Sequence, residues 1–299
     1  MPKRHPFPDG NSESIPQSYK PGSLLYIWNR IRKRPLAMCG VAFIVALIIL
    51  SFISPYISRY DFNEIAMKSR FGLPSMEHLL GTDEVGRDIL ARILYGARYT
   101  LSISVVSVAL SCVFGMILGA VAGYFGGIVD TLIMRFLDVL QAFPNIMLAI
   151  AIAAVFGAGF DKVIYAIGLC GIPIFARLMR ASILTVRNSE FIEAATSINC
   201  STFRIIVHHV VPNTISPLIV QVAMSIASAA LSASSLSFLG FGVQAPTPEW
   251  GAMLASARGQ MRDYPHMVIF PGMFIMFTVM SFSMIGDAIR DALDPKLRD

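Results

Sequence analysis

Charge is what this sequence has least of. Only 14% of its 299 residues are Asp, Glu, Lys or Arg, against roughly 25% in ordinary soluble domains, while 55% are apolar and mean hydropathy is +0.63. That balance excludes an ordinary water-soluble fold. Cysteine is sparse and scattered: Cys39, Cys112, Cys170 and Cys200 make no C-x-x-C pair, so neither a zinc site nor a disulfide frame is expected. The five histidines, His5, His78, His208, His209 and His266, form no H-E-x-x-H or comparable cluster, and no catalytic triad is visible. One stretch imitates a phosphate-binding loop: "GTDEVGRD", from Gly81 to Asp88. It carries Arg87 and Asp88 where Lys and Ser or Thr would have to meet phosphate and magnesium, so nucleotide binding there is rejected. No catalytic, cofactor-binding or metal-ligating residue is assigned.

What the sequence has is long apolar runs. Six cover about 36–57, 99–125, 131–156, 163–184, 214–239 and 267–285. Each has about the length a helix needs to cross a hydrocarbon core roughly 30 Å thick at 1.5 Å per residue. The fold class expected is an all-α membrane protein with six transmembrane helices. The first run is too long for a signal peptide, and the polar segment before it holds no cleavable apolar core, so it reads as a retained span.

An even number of spans puts both termini on one side. The N-terminus, the 177–213 connector and the C-terminal tail carry 14 Lys or Arg against 9 in the opposite loops, which places both termini in the cytoplasm. Six of those 9 lie between residues 58 and 98. The net charge of +5 concentrates in "RIRKR" just before the first span; it reads as attraction to anionic lipid headgroups rather than to nucleic acid. Ahead of it, "SLLYIWNRI" forms an amphipathic helix capped by Ser23, with Leu24, Ile27, Trp28 and Ile31 on one face, lying on the membrane surface. The expected organisation is a cytoplasmic tail and interfacial helix over 1–35, a span over 36–57, a periplasmic segment over 58–98, a five-span core over 99–289 and a cytoplasmic tail over 290–299.

Few charges fall inside the spans, which leaves an ion-coupled carrier without relay groups. Arg135 and Asp138 are the exceptions. Three residues apart, they share a helix face and form either a functional intramembrane ion pair or an interfacial pair that orients the helix. Gly115, Gly119 and Gly123 make a ridge for close helix packing. Ser225, Ser228, Ser232 and Ser235 give the fifth span a small polar face that either packs helices or lines a wet pathway. Pro144 and Pro173 are expected to bend their spans.

The connector is unusually ordered for a loop. Ser189 can cap a helix with Glu190 and Glu193 in its first turn and Phe191, Ala194, Ala195 and Ile198 on one face. Asn199 ends it. A second helix then starts at Ser201, carries Phe203, Ile206, Val207 and Val210 on one side, and closes at Pro212. Apolar faces on a cytoplasmic connector need a partner, either the membrane surface or another protein.

"EAATSINCSTFRIIVHHVVPN" resembles the EAA loop of bacterial ABC importer permeases, in which Glu-Ala-Ala is followed by Gly and later by a hydrophobic residue and Pro. Glu193, Ala194 and Ala195 match its opening, Val211 and Pro212 its end, and Asn199 stands in place of the Gly. Five further blocks, "HLLGTDEVGRDILARILYGAR", "GYFGGIVDTLIMRFLDVLQAFP", "SSLSFLGFG", "PTPEWGAMLASAR" and "GDAIRDALDPKL", resemble the second permease of the dipeptide, oligopeptide and nickel importer family. This similarity runs from about Arg30 to the C-terminus.

The resemblance implies the type I ABC importer permease fold in the bacterial inner membrane, with residues 58–98 periplasmic and 189–213 a cytoplasmic coupling loop. It implies as partners a second homologous permease, two ABC ATPase subunits and an extracytoplasmic substrate-binding protein, with ATP and Mg bound by the ATPases and no chemistry catalysed by this chain. Glu193, Ala194, Ala195, Asn199, Phe203, Arg204 and Pro212 would then dock the ATPase. Small peptides are the expected cargo, with glutathione or nickel chelates as alternatives. A stand-alone channel or carrier and a bare membrane scaffold are the competing classes. Asn tolerates the left-handed backbone better than other side chains, so Asn199 is expected to do the Gly's work at the bend.

Overall fold

The long apolar runs form helices in the computed structural model, which describes residues 24–293. A short helix, α1 (Leu24–Arg32), leads into α2 (Pro35–Ile57), which opens on a proline at the position where a helix needs no N–H. Then come α3 (Ile89–Phe125), α4 (Gly127–Gln141), α5 (Asn145–Phe156) and α6 (Phe160–Val186). The connector holds α7 (Glu190–Ser197), α8 (Thr202–Arg204), a π-helical turn (Ile205–Val210) and α9 (Val211–Thr214). The chain returns through α10 (Ser216–Phe238), a short α11 (Trp250–Ala257) and α12 (His266–Leu293).

Five helices, α2, α3, α6, α10 and α12, are long and apolar enough to cross a membrane, and α4 with α5 counts as a sixth crossing if the bent pair is taken as one span. The run expected as one bent span over 131–156 is therefore two helices meeting at 90°. Pro144, without an N–H and restricting Ala142–Phe143 before it, is the local cause. Pro173, by contrast, sits inside an uninterrupted α6.

The second span starts ten residues earlier than the hydropathy suggests. Asp88 accepts the Ala91 N–H at 2.7 Å, which caps α3, and its first turns bury Ile89, Ile93 and Ala97 against Trp250 and Met253. The segment expected as loop over 58–98 thus includes three turns of helix.

α3 and α6 form the centre of the bundle. Their contact is as close as the glycine ridge allows: a Cβ on Gly119 would lie 2.3 Å from the Ala176 carbonyl oxygen, and one on Gly115 would lie 2.8 Å from that of Ile172. Two ion pairs lash α4 to the same helix. Arg180 grips both oxygens of Asp130 at 2.5 and 2.6 Å, and Arg177 meets Asp138 at 2.6 Å.

The face expected of α1 is divided. Ile27 and Ile31 pack on Ala288 and Ala292 at the end of α12, whereas Trp28 is exposed together with Leu25. Arg34 pairs with Asp291 and ties the α1–α2 junction to α12. Ser23, the expected cap, lies outside the described residues, as do the tail before it and the last six residues.

At the end of the bundle away from the connector, residues 58–88 and 240–265 are knit to the start of α3. Asp83 accepts the backbone N–H of Val85 and Arg87 and the Arg87 Nε–H (2.6 Å), so "GTDEVGRD" is a self-satisfied turn. Buried Arg92 donates to the carbonyls of Phe62 (3.1 Å) and Pro246 (3.2 Å), and the Trp250 indole N–H to that of Ile93 (3.0 Å). Fully buried Glu249 caps α11 by accepting the Ala252 N–H at 2.9 Å. Burial pushes its carboxyl above the ordinary range, against the opposing pull of N–H donors at Gly251 and Ala252 and hydroxyls on Ser237 and Thr100.

Candidate functional site

The connector is built around one backbone device. Asn199 has φ 57°, inside the left-handed region. Its N–H bonds the Thr196 carbonyl at 2.9 Å, and the Cys200 N–H reaches back to Ala195 at 3.1 Å. Those are the two bonds of a Schellman C-cap, with Asn at the position glycine usually takes. They satisfy carbonyls at the end of α7 and swing the chain into α8.

The other end of α7 differs from expectation. Ser189 has the extended backbone of an N-cap, but its hydroxyl donates to the Val186 carbonyl at 2.6 Å and caps nothing. Glu190 and Glu193 still place negative charge in the first turn, where it suits the helix dipole.

The connector is held on one side only. α7 turns Ile192 and Ala195 inward, and the following segment turns in Ile205 and Val210; all four pack with Met179 and Ile183 of α6 and Leu218 of α10. Burying each Ile or Val is worth about 1.5–3 kcal/mol, which holds the connector against α6 and α10. Phe191, Ala194, Ile198, Phe203 and Val207, from the apolar faces expected to meet a partner, are exposed, with Ile198 at 79% and Phe203 at 75%, whereas Ala195 and Val210 of the same faces are buried. Pro212 does not close the second helix. It sits near the start of α9, where its missing N–H is tolerated, and the chain stays helical to Thr214.

The result is a helix-turn-helix whose outer side is an unpaired ridge of Phe191, Glu193, Ala194, Ile198, Phe203 and Arg204, with Pro212 also exposed. Of the docking residues expected from the resemblance, Ala195 points inward, and Asn199 shapes the bend. A groove bounded by Tyr124, Arg187, Ile192, Glu193 and Thr196 runs beside α7.

A second feature lies inside the bundle. A half-open cavity of about 470 Å³ is lined by α3, α5, α6, α10 and α12. Ser225, Ser228 and Ser232 line it, while Ser235 falls outside and donates to the Leu231 carbonyl at 2.8 Å. Sequence reasoning missed Asn145, Gln221, Ser283 and Asp287 in the same lining. The four-residue step from Gln221 to Ser225 was the available signal; Asn145 and Asp287 come from distant chain segments and left none. Arg135 and Asp138 form the expected i,i+3 pair at 3.8 Å, but Arg135 is 80% exposed and Asp138 is held more closely by Arg177 of α6.

Comparison with known proteins identifies this architecture. The binding-protein-dependent transport system inner membrane component family matches residues 115–299, and the N-terminal TM domain of oligopeptide transport permease C matches residues 23–73. The dipeptide transport system permease protein DppC of Alkalihalophilus pseudofirmus is 42% identical over 271 residues, 91% of this chain and 89% of its own length. The glutathione transport system permease protein GsiD of Escherichia coli is 44% identical over 272 residues, 91% and 90% of the two chains. Among solved structures, an inward-facing MetNI methionine ABC transporter chain superposes with TM-score 0.55 at 16% identity, covering 68% of this chain and 97% of that one, so the likeness is one of fold. The chain belongs to the inner membrane components of binding-protein-dependent transport systems, as a multi-pass, C-type permease of the peptide and nickel importer family with the type I ABC importer fold.

Proposed function

We propose that this permease forms the translocation pathway of an ATP-driven importer of small peptides together with a second, homologous permease. The observation that carries the reading is the connector: a packed piece that joins α6 to α10, two walls of the cavity, and turns an unpaired apolar ridge outward. A ridge of that kind suits docking into a cleft on an ATPase subunit. Glu193, Ala194, Phe203, Arg204 and Pro212 are the docking surface, Ala195 anchors it, and Asn199 sets the angle between its halves. Two ATPase subunits bind ATP and Mg; this chain holds no cofactor and catalyses nothing. Its termini lie with the connector in the cytoplasm, and the extracytoplasmic binding protein delivers cargo to the opposite end. Closing of the ATPase pair moves the connector, and with it α6 and α10, between two states for which ATP and cargo have different affinities.

The dipeptide and glutathione permeases among the relatives favour a cargo rich in amide groups. Glutathione itself is the second reading, supported by the GsiD similarity. The test is a reconstituted complex of both permeases, the ATPases and the binding protein. Peptide-loaded binding protein should stimulate ATP hydrolysis and peptide accumulation, and Phe203→Asp, on an exposed residue, should abolish both at matched membrane levels. Peptide uptake by the purified chain without ATPases, or undiminished coupling in Phe203→Asp, would sink the reading.

A further inference from the structure

The cavity has a chemical polarity that the transport reading does not by itself require. Along α10 its wall runs from Gln221 to Leu236, a rise of about 22 Å, and 470 Å³ lies within the roughly 300–1,000 Å³ of small-molecule sites. Asn145, at the break between α4 and α5, faces it from one side, and Gln221, Ser228 and Ser232 from another. These are uncharged groups that can bond amide N–H and C=O alike. Asp287 is the one charged residue in the lining, and no Lys, Arg or His balances it. It lies toward the connector end, since the neighbouring Gly286 packs on Ala223 and Met224 in the early turns of α10.

Asp287 is also free to bind. The next carboxylate on the helix, Asp291, is engaged by Arg34, whereas Asp287 has no ion-pair partner among the described residues. Ser283, one turn away on the same face, donates its proton to the Val279 carbonyl at 2.9 Å and so presents an acceptor oxygen beside the carboxylate. A carboxylate and a hydroxyl acceptor, in a wall otherwise neutral, suit a group with several N–H donors and a positive charge.

We propose that Asp287, assisted by Ser283, is the contact for the cargo's free ammonium group as it crosses the cavity, with Asn145, Gln221 and the α10 serines meeting its amide groups. This rests on the peptide-importer reading and names the chemical class that the pathway favours: small molecules with a primary ammonium beside amide bonds. The probe is Ala-Ala in the reconstituted importer, with the binding protein saturated, and the readout is peptide accumulated per ATP hydrolysed. Asp287→Asn should lower that ratio about tenfold, the weight of one charge-assisted hydrogen bond. Asp287→Glu should restore most of it. Ser283→Lys, which places a tethered ammonium beside Asp287 without removing the carboxylate, should lower the ratio as Asp287→Asn does, and it carries the test if Asp287→Asn fails to assemble. An unchanged ratio in either charge-altering variant, or an Asp287→Glu protein as poor as Asp287→Asn, overturns the assignment and leaves the importer reading standing. Absence of ATP-driven Ala-Ala uptake in the unaltered complex removes both.

Discussion

Asn199 is the residue on which the connector's shape turns, and its replacement gives a graded test. With φ at 57°, the position costs a β-branched side chain about 1–2 kcal/mol more than Asn, whose short polar group is at home in the left-handed region. If the chain relieves that strain by opening the turn, it loses the Asn199–Thr196 and Cys200–Ala195 backbone bonds, each worth about 0.5–1.5 kcal/mol net. Asn199→Val therefore penalises the native bend by about 2 kcal/mol, which is about a thirtyfold loss in its population relative to open forms. Asn199→Gly removes the side-chain cost and keeps both bonds, so it should match or exceed the unaltered protein, with Asn199→Ala between the two. The assay is ATP-driven peptide uptake, with binding-protein-stimulated ATP hydrolysis, at equal subunit levels in the membrane. Equal uptake by the unaltered protein and Asn199→Val would refute the idea that a left-handed residue here sets the coupling geometry.

Two further outcomes follow from packing and burial. Gly119→Ala should lower thermal stability in detergent by about 1–3 kcal/mol, because its Cβ would meet the Ala176 carbonyl at 2.3 Å, whereas Gly272→Ala, with open space around it inside α12, should be neutral or mildly stabilising. Equal melting of the two variants would show that the α3–α6 ridge is not close-packed. Glu249 has its folded-state pKa raised above an ordinary 4.5, so its contribution is fully present below about pH 4.5 and is lost as pH rises through the folded value. Glu249→Gln should flatten the pH dependence of stability above pH 4.5; an identical slope in both proteins would mean that the carboxyl does not titrate there.

Much of this molecule was legible because the informative signals are short-range. The five long spans follow from run length, a close helix contact along α3 from glycines four apart, and the left-handed bend from an Asn after a helix, while which helix meets that ridge, α6, came from the tertiary structure. Other features were misjudged where tertiary partners override a local pattern. Asp88 and the buried face of Ile89 and Ile93 extend α3 beyond its hydropathic run. Ser189 has the composition of a cap, but its hydroxyl finds the Val186 carbonyl first.

The sequence by itself determined the membrane class, the family, the five long spans and the place of the helix-turn-helix connector, since each rests on composition, periodicity or motifs contiguous in the chain. Tertiary structure alone decided the rest. It chose Arg177 over Arg135 as the closer partner of Asp138, buried Glu249 among three helices, and brought Asn145, the α10 serines, Ser283 and Asp287 to one cavity. These depend on which helices are neighbours and at what rotation, and that is settled by side-chain packing between segments far apart in the chain, such as Asn145 and Asp287, which no local pattern encodes.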